Sequence, residues 1–200
     1  MNKKEVELKV QITKTQANCM KKTLLNLGAI KKGFLRESDI YFTSLFVDFI
    51  KTRECLRIRE KNNKFLELTY KGKTTELMKR QKQFWKTEIN IPIKRSLKKD
   101  LITFFKLLGF KIVSEVIKDR ERFALNNQEI AIDKIRGVGW FLEIENTANN
   151  KKEEKEALKE NLYLLTKLKL NKANLVDEPY RDLVIKSQDK KNLHISKIAV

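Results

Sequence analysis

One histidine, two cysteines, two prolines and six glycines in 200 residues remove several kinds of chemistry at the outset. His194, the single histidine, stands near the C-terminus, so no histidine-rich metal centre and no histidine-activated nucleophile can be assembled. Cys19 and Cys55 lie 36 positions apart, which is the spacing of neither a zinc knuckle nor a redox pair. That usage points to a reduced, cytoplasmic protein. No apolar run is long enough to span a bilayer, and the N-terminus is charged from Lys3 onward. Acidic residues are the minority sign, 26 against 44 Lys and Arg, for a net charge of +18. Such a field draws in polyanions, whether nucleic acid, acidic headgroups or phosphorylated metabolites.

What is abundant is strand-like alternation. Residues 4–12 alternate polar positions with Val6, Leu8, Val10 and Ile12. A helical stripe of Ala17, Met20, Leu24 and Leu27 follows, with Thr13 or Thr15 as its cap and Gly28 as its stop. Extended segments are predicted at 30–35, 38–42, 46–50, 54–60 and 65–71, with Asn62-Asn63 as a hairpin turn, then a polar loop over 72–83 and a strand over 86–93. Ser96 is expected to cap a second helix ending at Gly109. Strands at 111–113, 115–125, 129–135 and 140–146 follow, with a turn at Asn126-Asn127, a helix over 148–170 bearing Leu158, Leu162 and Leu165, and a short helical piece over 180–186. Gly28 and Gly109 close similar strand–helix units 81 positions apart, which suggests duplication. One domain over 1–186 with a flexible tail at 187–200 is the expected organisation.

Side chains two apart on a strand share a face. Glu5, Glu7 and Lys9 therefore align, as do Arg57 with Arg59, Glu67 with Thr69 and Lys71, Lys86 with Glu88, Lys118 with Arg120 and Arg122, Asp133 with Glu129, and Glu143 with Glu145. A single strand of this kind is an ordinary solvated face. Seven such strands together predict something else. Helices must cover the apolar faces, so the charged faces turn inward, giving an α+β fold with a closed or nearly closed antiparallel β-barrel, a charged lumen and helices outside. Charges in a lumen must be paired with each other or with ligand. Glu5, Glu7, Glu143 and Glu145 offer hard oxygens suited to Mg2+ or Mn2+. Lys9, Arg57, Arg59, Lys71, Lys118 and Arg120 offer donors for phosphate oxygens. A triphosphate with divalent metal fits both sets.

Glu5-Val6-Glu7-Leu8-Lys9 resembles the ExExK signature of the CYTH, or triphosphate tunnel metalloenzyme, family. Asp39-Ile40-Tyr41-Phe42, Leu56-Arg57-Ile58-Arg59, Leu68-Thr69-Tyr70-Lys71, Val116-Ile117-Lys118-Asp119-Arg120, Ile132-Asp133 and Phe141-Leu142-Glu143-Ile144-Glu145 resemble its later motifs in order, and Glu178-Pro179-Tyr180-Arg181-Asp182-Leu183 resembles the C-terminal tyrosine segment of its class IV cyclase-like subgroup. Lys86 and Asn90 depart from the family pattern, which usually has arginine and a second acid there. The resemblance implies a tunnel in which the six cations hold phosphates and the four glutamates hold metal, with the catalytic positions Glu88 and Asp133 assisting.

Two reactions follow from it: hydrolysis of a triphosphate such as thiamine triphosphate, tripolyphosphate or a nucleoside triphosphate, and cyclisation of ATP to cyclic AMP and pyrophosphate. A non-catalytic polyphosphate- or RNA-binding module ranks third, because clustered carboxylates repel a bare phosphate backbone. The expected partner is a small-molecule triphosphate, with no membrane; a homodimer is left open. Trp85 and Trp140 are read first as packing or rim residues, and Cys55 as a small lining residue.

Overall fold

A computed structural model describes residues 4–72 and 88–198. The first strand, β1 (Lys4–Ile12), leads into α1 (Lys14–Asn26) through a capping box. The Thr13 hydroxyl accepts from the Gln16 N–H at 3.1 Å, and the Gln16 side chain accepts from the Thr13 N–H at 2.8 Å. Ala17, Met20 and Leu24 are buried, and Gly28 leaves the helix at φ 87°, a left-handed value that favours glycine. The remaining elements are β2 (Ile30–Ser44), β3 (Cys55–Lys61), β4 (Phe65–Lys71), β5 (Glu88–Ile93), α2 (Lys98–Leu107), β6 (Phe110–Leu125), β7 (Gln128–Ile135), β8 (Gly139–Ala148), α3 (Lys151–Lys167) and α4 (Tyr180–Ile198).

Several expected boundaries shift, each for a local reason. β2 and β6 are single long strands where two short ones are predicted. Their apparent breaks, at Arg36-Glu37 and Ser114, are polar, but Glu37 and Ser114 are buried rather than turned to solvent. Residues 46–50 form no strand: the Asp48 carboxylate accepts from the Ile50 and Lys51 N–H groups at 2.9 and 3.2 Å and folds the segment into a turn. Ser96 caps nothing, because Arg95–Leu97 is itself a short 3-10 turn running into α2. The hairpin asparagines behave as expected, Asn62 and Asn63 both adopting positive φ, 51° and 54°. α4 continues to Ile198, past the boundary at residue 186 where a flexible tail is predicted. No helix among the described residues is long and apolar enough to cross a membrane.

The eight strands form an antiparallel sheet in the order β1-β8-β7-β6-β2-β3-β4-β5. Exchanging each strand with the one four later in the chain returns the same order reversed, as a duplicated β-α-β-β-β unit requires. The sheet is not closed, so the closed or nearly closed barrel expected is met only approximately: among the described residues β5 pairs only with β4, and the free edge of β1 takes just an isolated bridge from Leu175. The chain divides into two compact units. Unit 1 comprises residues up to 35, 119–135 and 139–177; unit 2 comprises 36–118, 136–138 and the chain from 178.

Each unit has its own core. In unit 1, α1 and α3 cover Val10, Ile12, Ile130, Ile132, Leu142 and Ile144 from the apolar faces of β1, β7 and β8. In unit 2, Phe42, Leu56, Ile58 and Leu66 pack with Phe105 of α2, whose ring lies 5.1 Å from that of Phe42. The charged faces of these strands are thus turned away from α1, α2 and α3. The buried stripe of α3 differs from the one predicted: Leu165 is buried, Leu158 is exposed, and Asn161 takes a central place. Asn161 accepts from the Gln128 side-chain amide at 2.9 Å and donates to the Val6 carbonyl at 2.8 Å, so it fastens α3 to the strand that carries Glu5 and Glu7.

Asn161→Ala leaves the Val6 carbonyl and the Gln128 amide without these partners. Destabilisation of about 2–4 kcal/mol is expected, read as a lower denaturant midpoint at unchanged slope.

Candidate functional site

Unit 1 carries a surplus of carboxylates on one sheet face. Strand register sets Glu7 opposite Glu145, and Glu145 opposite Glu129, so three acids form a row across β1, β8 and β7. Like charges in directly facing positions destabilise a sheet. Burial first, then the charges of Glu5, Glu7, Glu129 and Glu143, push the Glu145 carboxyl up to about 7. Glu7, its side chain 41% exposed, is also raised, chiefly by Glu143.

Two cations relieve part of this strain. Lys9, facing Glu143 across the β1–β8 ladder, places its Nζ 3.2 Å from Glu7 and 3.5 Å from Glu143. Burial pulls the Lys9 ammonium down, but Glu7 and Glu143 outweigh it and hold its pKa above the ordinary value. Arg120 grips the fully buried Asp133 with two parallel bonds, Nε to Oδ1 at 2.7 Å and Nη2 to Oδ2 at 2.6 Å, and Nη2 also donates to Glu143.

Unit 2 has the same clamp with its charges exchanged. Asp39 on β2 faces Arg59 on β3, and Arg59 donates through Nε to Oδ1 at 2.7 Å and through Nη2 to Oδ2 at 2.6 Å. Burial pushes the Asp39 carboxyl up, yet Arg59, Arg57 and Lys118 together hold it well below the usual carboxylate range. Arg57 donates weakly to the Tyr41 hydroxyl at 3.4 Å, while its Nε is buried with no acceptor among the described residues. Lys118, 4% exposed, pairs with Glu37 at 2.9 Å, and its ammonium lies 5.6 Å from the centre of the Tyr180 ring. Arg181 beside it donates to the Glu54 carbonyl at 2.7 Å and anchors the first turn of α4.

Lys71 pairs with Glu88 at 2.8 Å. Burial raises the Glu88 carboxyl, but the bonds from Lys71 and Asn90 win and lower it. Asn90, the departure from the family pattern, donates to Glu88 at 3.1 Å and accepts from Thr69 at 2.8 Å, so it orients Glu88.

The predicted residues therefore fall into two groups: Glu5, Glu7, Lys9, Arg120, Asp133, Glu143 and Glu145 in unit 1, and Arg57, Arg59, Lys71, Glu88 and Lys118 in unit 2. Lys86, Trp85 and most of the 72–83 loop lie outside the described residues. Trp140 packs against the unit 1 core beneath Lys21 and Lys134. Glu37, Asp39, Tyr41 and Arg181 were missed as site residues. A signal for the first two existed, since Glu37 and Asp39 stand 81 positions before Lys118 and Arg120, the separation of Gly28 and Gly109.

The donor set in unit 1 suits a hard divalent cation, being all carboxylate oxygen with mutual repulsion to be relieved. Among the described residues, however, no three acidic, histidine or cysteine side chains converge tightly enough to form a ready-made metal site. Glu7 and Glu143 are instead drawn to Lys9, and Glu143 to Arg120 as well.

The CYTH domain pattern matches residues 3–180. The chain belongs to the CYTH domain family. A Methanocaldococcus jannaschii protein named "Putative adenylate cyclase" is 34% identical over 179 residues, covering 90% of this chain and 97% of its own length. The solved structure of the PH1819 protein of Pyrococcus horikoshii has a TM-score of 0.76 at 28% identity, covering 91% of this CYTH chain and 98% of its own. A Hippeastrum protein with an adenylyl cyclase name and a dominant triphosphatase activity shares the fold alone, with a TM-score of 0.61 at 14% identity over 84% of this chain and 89% of its own.

A carboxyl whose pKa rises on folding binds its proton more tightly in the native state, so stability falls as pH climbs from the ordinary 4.5 through the native value of about 7. For Glu145 the cost is at most about 3 kcal/mol before solvent screening reduces it. Protein stripped of divalent ions is expected to show a thermal midpoint that declines between pH 5 and pH 8. Glu145→Gln should flatten the decline, and Mg2+ or Mn2+ should restore the midpoint at pH 8.

Proposed function

We propose that this CYTH protein is a divalent-metal-dependent triphosphatase that hydrolyses an organic or inorganic triphosphate. The observation that carries the reading is the row Glu7, Glu145 and Glu129, three facing acids whose central carboxyl is pushed up to about 7 by burial and then by the surrounding glutamates, so that a cation relieves the face. A structural sheet face gains nothing from three facing acids. A metal-binding face does.

In this reading Glu5, Glu7, Glu143 and Glu145 hold Mg2+ or Mn2+, and Lys9, Arg57, Arg59, Lys71, Lys118 and Arg120 hold phosphates. The metal, when bound, offsets charge on phosphoryl oxygens and lowers the pKa of a water. The residues of the chain do the positioning. Arg57 brings an Nε donor that no described residue uses, and Arg59 and Arg120 are held rigid by Asp39 and Asp133. Water attacks the terminal phosphorus, the bridging P–O bond breaks, the departing oxygen leaves on the shorter phosphate chain, and the proton shed by the water passes to a phosphate oxygen. Glu88, its carboxyl lowered by Lys71, is a poor proton acceptor; it and Asp133 act as positioning groups.

The cyclase reading rests on the name of the Methanocaldococcus relative. That name leaves the reaction open, since a fold neighbour with a cyclase name has a dominant triphosphatase activity. In the cyclase reaction the same groups bind ATP, and the ribose 3′-hydroxyl attacks the first phosphorus instead of water.

The test is incubation of the protein with Mg2+ or Mn2+ and tripolyphosphate, thiamine triphosphate, ATP or GTP, scoring phosphate, pyrophosphate and cyclic nucleotide separately. Metal-dependent release of phosphate is expected, with a loss on the order of a hundredfold in a Glu5→Gln, Glu7→Gln double variant. Cyclic AMP with pyrophosphate would overturn hydrolysis in favour of cyclisation. No turnover by folded protein with either metal would overturn both.

A further inference from the structure

Within unit 1 the cations on the charged face differ in how they are satisfied. Lys9 is shared by Glu7 and Glu143, and Arg120 is spent on Asp133 and Glu143. Arg122 stands two residues beyond Arg120 on the same strand, so it projects from the same face about 6.6 Å further along. Its Nε is buried, and among the described residues nothing accepts a hydrogen bond from it. This is unexpected on a face that carries Glu5, Glu7, Glu129, Asp133, Glu143 and Glu145, because carboxylates are in surplus there. The adjoining Glu121, on the other face of the strand, takes both Lys21 and Lys31.

A buried guanidinium N–H without an acceptor costs stability and is retained where a ligand completes it. Its planar fork matches the oxygens of a phosphoryl group, which a lysine ammonium does not reproduce. The 81-residue repeat sharpens the contrast, since the position equivalent to Arg122 is Tyr41, whose hydroxyl donates to Asp39 at 3.4 Å.

We propose that Arg122 is an anion-binding residue of unit 1, whose guanidinium takes the oxygens of a phosphoryl group. The proposal rests on the triphosphate reading of this face and adds a contact to it. Arg120 meets the ligand from a position fixed by Asp133 and Glu143, and Arg122 adds a second guanidinium further along the strand. The phosphoryl group belongs either to the triphosphate substrate or to released phosphate.

Calorimetric titration of tripolyphosphate and of inorganic phosphate into the wild type, Arg122→Gln, Arg122→Lys, Arg57→Gln and the exposed control Arg136→Gln decides the matter. Arg122→Gln is expected to weaken tripolyphosphate about tenfold or more, Arg122→Lys to recover part of the loss, and Arg136→Gln to bind as the wild type. A parallel loss for inorganic phosphate assigns the contact to the released product as well; a loss confined to tripolyphosphate assigns it to substrate. The thermal midpoint of Arg122→Gln should stay level or rise, because a buried N–H without an acceptor has been removed. A fall in midpoint that tracks the fall in affinity, with no rescue by lysine, would make Arg122 structural and overturn the proposal. Unchanged affinity in Arg122→Gln beside a clear loss in Arg57→Gln would overturn it and leave the triphosphate reading standing. No anion binding by the wild type would remove both.

Discussion

Two bidentate aspartate–arginine clamps with exchanged polarity organise the chemistry of this chain. In one, Asp39 of β2 is gripped by Arg59 of β3; in the other, Arg120 of β6 grips Asp133 of β7. The bond lengths are the same, 2.7 and 2.6 Å, and Asp39 and Arg120 occupy equivalent places in the 81-residue repeat. A buried pair of this kind adds little net stability, but removing one partner leaves an uncompensated charge costing roughly 3–5 kcal/mol. Each clamp therefore fixes its strand pair and cannot drift one partner at a time.

What the clamps leave over differs between the two units. In unit 2 the clamp consumes a carboxylate on β2; Lys71 and Lys118 pair closely with Glu88 and Glu37, and Arg57 makes longer contacts, 3.4 Å to the Tyr41 hydroxyl and 3.6 Å to Asp39. In unit 1 it consumes an arginine on β6, and the glutamates of β1, β7 and β8 remain in surplus. One duplicated scaffold thus yields one face rich in cations and one rich in carboxylates. Both backs are closed by helices, so the strand interiors supply stability while the charged faces are left to chemistry.

Much of this was legible in the chain. Period-two alternation identified which side chains share a face, the asparagine pair marked a hairpin, and the ordered motifs marked the family that the domain match bears out. The misreadings share a cause. Glu37, Arg36 and Ser114 resemble turn residues because they are polar, yet Glu37 is buried against Lys118 and the strand passes straight through. Asn161 was invisible for the same reason, a polar residue in a helix stripe being expected at the surface.

The sequence by itself determined the faces, because alternation is a local property set by backbone geometry. Only the tertiary structure decided the partners. Glu7 meets Glu145, Glu37 meets Lys118 and Asn161 meets Val6 across more than 80 residues of chain, through strand order and register that no local pattern encodes. The same register decided that Arg120 is bound by carboxylates while Arg122, two residues on, is left without an acceptor among the described residues. Residue type placed the charges; long-range pairing decided which of them remain for a ligand.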